Sequence, residues 1–180
     1  MNHSRKGRRR PRHGAATLVR GRARQAQAAF ANLRTAQPAT VRGWTGEAQA
    51  LLDLGNARGA KALLEEFYRT QPQHSCAMQV LARFLAACPC AEERDGAQAL
   101  RLAQTLFNQG RTAERAEALA MALAEVGRFG DALKWERWAL EQLGEHADPS
   151  LLRRHRMLLA LYENKRPCRD LGWKPDGYSN

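Results

Sequence analysis

Apolar side chains in this chain recur at three- and four-residue intervals from about residue 15 to about residue 164, with no sustained alternation. That spacing puts one apolar stripe on a helix, whereas a half-buried strand would alternate. The pattern is interrupted at Gln37-Pro38, Gly55-Asn56, Gln71-Pro72, Cys88-Pro89, Asp95-Gly96, Gly110, Gly127 and Asp148-Pro149, and the segments between run mostly 13–16 residues. Gly, Pro, Asn and Asp at these places stop one helix and start the next. Helices of three to four turns joined by tight connections must lie antiparallel to their neighbours. Composition agrees: Ala, Leu, Arg, Gln and Glu dominate, and β-branched residues are scarce. Those are strong helix formers, so the chain is expected to be all-α.

The helices also repeat. A 34-residue unit carries Trp44, Ala48, Leu51, Gly55, Ala60 and Pro72 at its marked positions. One period earlier, Ala26, Phe30, Leu33 and Pro38 stand where a second helix needs them. Further on, Met78, Leu81, Ala82 and Leu85 repeat the first-helix pattern, and Ala99, Leu100, Leu102, Ala103 and Leu106 follow after an enlarged loop, CPCAEERDG. A third unit restores the register with Leu119, Ala120, Leu123, Gly127, Phe129, Ala132, Ala139 and Leu140. The spacing Ala26–Ala60–Ala99–Ala132 is 34, 39 and 33 residues. Small residues at the eighth and twentieth positions let the two helices of a pair approach closely, and larger ones fill the space between pairs. Glycine supplies the left-handed turn that ends a first helix. No single pair hides its apolar face, so the pairs must stack.

Over roughly residues 16–164 this resembles the tetratricopeptide repeat family, on the Trp44, Ala48, Leu51, Gly55, Ala60, Pro72 run and its period. The resemblance implies an α-solenoid of antiparallel helix pairs: about three repeats, a preceding half and a capping C-terminal helix, LLRRHRMLLALYEN, with a basic outer face. Departures are the long middle loop without its turn glycine, and Glu136 and Gly144 in place of the usual aromatic and proline. The family's groove contacts come from the second, fifth, ninth and twelfth positions of each first helix. Carried over, these are Arg42, Thr45, Gln49 and Leu52, then Cys76, Gln79, Arg83 and Ala86, then Glu117 and Met121. The residues that grip a peptide's C-terminal carboxylate in some relatives are not matched.

Charge divides the chain differently. The formal net charge is +11, no acidic residue precedes Glu47, and eleven of the 29 basic residues do, leaving 18 against 18 acids. Residues 1–14, MNHSRKGRRRPRHG, offer almost nothing apolar to bury, so a disordered basic arm is expected. Its Arg5, Lys6, Arg8, Arg9, Arg10 and Arg12 suit phosphates of nucleic acid or another anionic surface. An Arg-rich, acid-free start also resembles an organelle transit peptide. Residues 165–180 form an irregular tail with Trp173 and Tyr178, expected to lie back on the solenoid.

Signs of catalysis are lacking. Five histidines lack a Ser or Cys partner at a telling spacing, and no phosphate-binding glycine loop occurs. Cys88 and Cys90, near Cys76 and His74, lack the second knuckle of a structural zinc site, so neither metal nor cofactor is expected. Trp135 and Trp138 share a helix face and are expected between helices. With no secretory signal and no stretch that spans a membrane, a cytoplasmic, non-enzymatic adaptor or assembly factor is expected, taking a partner protein's peptide or helix in the groove. Two alternatives stand beside it: a nucleic-acid-associated protein acting through the arm, and a subunit whose arm orders on assembly.

Overall fold

Each connector rich in Gly, Pro, Asn or Asp joins two helices in the computed structural model, which describes residues 13–144 and 146–171. Among the described residues there are eight α-helices and no strand: α1 (His13–Ala36), α2 (Val41–Asp53), α3 (Ala57–Thr70), α4 (Ser75–Ala87), α5 (Gly96–Gln109), α6 (Ala113–Glu125), α7 (Phe129–Leu143) and α8 (Pro149–Glu163). Helix α1 starts two residues ahead of Ala15, the expected beginning. No helix among the described residues is long and apolar enough to cross a membrane.

Local chemistry fixes the helix ends. Side chains of Asn56, Asp95, Thr112 and Asp148 accept hydrogen bonds from the first-turn amides of α3, α5, α6 and α8. Gly55 and Gly127 both take φ +79°, ending α2 and α6 in the left-handed conformation that glycine adopts without strain. The middle unit has no such glycine. There α4 stops at Ala87 before Cys88-Pro89, and the enlarged loop makes one 3-10 turn at Ala91–Glu93. Arg94 braces that loop, donating to the Cys88 carbonyl at 2.8 Å and to Glu125 at the end of α6 at 2.9 Å.

Successive helices pack in antiparallel pairs, and the first helices of successive pairs also touch, α2 against α4 and α4 against α6. This is an α-solenoid. The repeated alanines, Ala48, Ala82 and Ala120 at the eighth position and Ala60, Ala99 and Ala132 at the twentieth, are all fully buried. Helix α1 joins the stack through a different device. A Cβ on Gly43 would lie 2.8 Å from the Arg34 backbone nitrogen, so the crossing of α1 over α2 requires glycine there. Trp44, the marked aromatic of the first unit, stacks on Phe67 at 4.7 Å and donates its indole N–H to the Pro38 carbonyl at 2.8 Å. Helix α8 closes the stack against α7. Beyond it, residues 165–171 leave the helix and return over α4 and α6.

Candidate partner-binding face

The first helices α2, α4 and α6, with α8, present the face on which the groove residues fall. Toward α2 it is open: Arg42 is exposed, and Gln49, Leu52, Cys76 and Gln79 are partly so. The Gln49 amide donates to Asp53 at 2.9 Å, and that of Gln79 reaches the Glu114 carbonyl at 3.5 Å, tying α4 to α6. Thr45 is buried and turns its hydroxyl back to the Val41 carbonyl, so it lines no surface. Toward α6, Arg83, Ala86, Glu117 and Met121 are all buried, at 5%, 1%, 2% and 1% exposure. Positions with free access in the family's groove are therefore inside the protein here.

The tail lies against Arg83 and Ala86. Cys168 and Leu171 are buried in the core, and three arginines pin the segment. Arg83 reaches the Leu171 carbonyl at 3.5 Å; Arg169 donates to Glu125 at 2.6 Å and to the Ala86 carbonyl at 3.3 Å. Arg154 of α8 bridges Asp170 at 3.3 Å and Glu117 at 2.6 Å. Glu117 thus sits between two guanidiniums, since Arg83 pairs with its other oxygen. Burial pushes the Glu117 carboxyl upward, but Arg83 and Arg154 outweigh it and hold the pKa below the usual carboxylate value.

A second buried pair lies beneath the first. Glu136 on α7 and His155 on α8 are essentially unexposed, and His155 Nδ1 lies 2.6 Å from Glu136 Oε1. Glu136 stands four residues after Ala132, as Leu64 does after Ala60 and Ala103 after Ala99, so it is a carboxyl at an otherwise apolar core position. Its other oxygen and the Tyr162 hydroxyl are buried with no hydrogen-bond partner among the described residues. Burial raises the Glu136 pKa above the ordinary carboxylate value, with the His155 contact opposing, and burial raises Tyr162 well above the usual phenol.

The linkage sign for Glu136 follows. A raised folded pKa means the neutral carboxyl fits the fold best, so its contribution is fully present at low pH and is lost as pH rises through the folded value. Glu136→Gln is therefore expected to match the wild type near pH 4 and to melt a few degrees higher at pH 8, as read by circular dichroism. A lower melting temperature at pH 8 would show that the charged carboxylate is what the fold requires.

Sequence reasoning did not find Arg154, His155, Cys168, Arg169, Asp170 or Leu171 as members of this face. The available signal was Glu136 itself, since a carboxyl at an apolar repeat position demands a partner. The six basic residues of the arm, Arg5, Lys6, Arg8, Arg9, Arg10 and Arg12, lie outside the described residues, as does Trp173. Trp135 and Trp138 sit half-buried on α7 and meet Phe107 of α5 edge-on, at 4.8 and 5.7 Å. Cys88 is buried, and its thiol pKa is raised by that burial; Cys90 donates to Glu92, which raises its own. Among the described residues no group of three or more His, Cys, Asp or Glu side chains is placed to hold a metal ion. No protein family, curated protein or solved structure matches the chain.

Proposed function

We propose that this protein is a non-catalytic adaptor that holds a non-helical segment of a partner protein against the first-helix face of a tetratricopeptide-like solenoid. One observation carries the reading: the face already holds such a segment, residues 165–171, by buried side chains and by arginines that bond its carbonyls. Solenoid faces bind chain segments in this manner because exposed turns leave one row of helices free along its length. Arg42, Gln49, Leu52, Cys76 and Gln79 extend the face beyond the contacts of residues 165–171.

The rival is a nucleic-acid-associated protein. Supporting it are the basic head and a cleft of about 420 Å³ on the other side of the stack, where Arg111, Arg128 and Lys134 surround Phe107 and Trp135. The two readings separate on salt and on the arm. The immobilised full chain is expected to retain a protein partner from nuclease-treated lysate at about 0.3 M salt, where phosphate binding has weakened steeply. The same partner is expected with residues 1–14 deleted and is expected to be lost when Gln49→Lys and Gln79→Lys alter the face. Retention that collapses with salt or with the arm, and ignores the face, favours nucleic acid instead.

A further inference from the structure

We infer that the face spanning α4, α6 and α8 is a docking site whose occupant in this structure, residues 167–171, is a displaceable stand-in for a partner segment with the pattern small–basic–acidic–apolar. The inference rests on the adaptor reading and names the ligand chemistry of that same face. The pattern is read from the contacts. Cys168 supplies a small side chain to a buried position, and Leu171 fills an apolar one. Between them Arg169 extends to Glu125, and Asp170 meets Arg154. Arg83 and Arg154 also take main-chain carbonyls, of Leu171 and Asp170, which any segment can offer.

Displaceability follows from how the segment is held. It belongs to no helix or sheet, so its backbone carries no ladder of hydrogen bonds. Within residues 167–171 its apolar grip is two buried side chains, and each of its ion pairs has one exposed end, Arg169 or Asp170, open to screening by salt. By contrast the receiving side stays organised without the segment. Glu117 holds Arg83 and Arg154 in place from within α6, and Arg94 holds Glu125. The acceptor site is built from the solenoid's own pairs; the segment only plugs into it. Segments tied so lightly open at a free energy well below that of global unfolding.

The test uses the full chain with Leu171→Ala, and separately with Arg169→Glu, which sets a carboxylate against Glu125 while keeping the Leu171 anchor should the first variant loosen the fold. Alkylation of Cys168, followed by mass spectrometry, reports release of the segment. Anisotropy of a fluorescein-labelled synthetic peptide of residues 165–180 reports refilling of the face. Both variants are expected to alkylate at Cys168 about tenfold faster than the wild type, and to bind the peptide about tenfold more tightly, because the wild-type site is competent only in its open fraction. A peptide with Asp170→Ala and Leu171→Ala is expected to lose that binding. If Cys168 stays as protected in both variants as in the wild type, the segment is a fixed part of the core. The inference then fails, and the adaptor reading is left to the open part of the face near α2. If Cys168 is released but the peptide binds no better, the face does not take such segments, and both readings fail there. A concentration-dependent dimer that the peptide dissociates would place the segment on a second copy and overturn its assignment within one chain.

Discussion

Replacing Glu117 by alanine is expected to cost about 3–5 kcal/mol, the range for breaking a buried ion pair from one side. In a chain of this size that lowers the melting temperature by about 10 °C or more. The reason is what remains. Arg83 and Arg154 are 6% and 15% exposed in their side chains, and Glu117 lies between them. Without the carboxylate two guanidiniums face each other in a poorly solvated interior. The same physics sets the pH dependence. Because the folded pKa of Glu117 is depressed, its contribution is present above the ordinary carboxylate pKa and is lost as pH falls through the folded value. Thermal melts of Glu117→Ala and wild type are therefore expected to converge toward acid. The double variant Arg83→Met, Glu117→Leu removes one guanidinium with the carboxylate, leaves Arg154 to Asp170, and is expected to recover much of the loss. If it melts no higher than Glu117→Ala, shape rather than charge decides the site.

Phe67→Ala is expected to cost a similar amount, about 3–5 kcal/mol, by emptying a cavity in a core that cannot collapse to fill it. Phe67 is fully buried, and its ring stacks on Trp44 with 12° between planes. The two losses differ in reach. In a stack each pair leans only on its neighbours, so the damage from Phe67 stays near α2 and α3. Hydrogen exchange is expected to show early loss of protection across α1–α3 while α5–α7 remain protected. Uniform loss across all helices would mean that the solenoid melts as one unit. Glu117, in contrast, joins α6 to α4 and α8, so its removal reaches three helices.

The helices and their order were legible in the sequence because period, breakers and small residues are local signals. Ala48, Ala60, Ala82, Ala99, Ala120 and Ala132 were placed by spacing alone, and all are fully buried. The face was legible only in part. Position numbers carried from the family identified Gln79 and Arg83 as members of the right helix face, but a repeat pattern treats each charged position as facing solvent. Arg83 and Glu117 are buried beside a segment some fifty residues beyond Glu117, and nothing periodic marks that segment. Glu136 stood out as a departure from the repeat, yet its partner His155 lies in the next helix at a spacing no motif prescribes.

The returning segment also sets an order of events. Ties within the stack join residues about one repeat apart, as Arg83 and Glu117 are 34 apart and Arg94 and Glu125 are 31. The contacts that bring the segment onto α4 span 88 residues, from Arg83 to Leu171, and 83, from Ala86 to Arg169. Long closures cost more chain entropy and follow local ones, so the helices assemble first and the segment docks last. During synthesis α4 and α6 leave the ribosome and pack before residues 167–171 exist to reach them. The α4 and α6 side of this face is therefore formed before residues 167–171 can cover it.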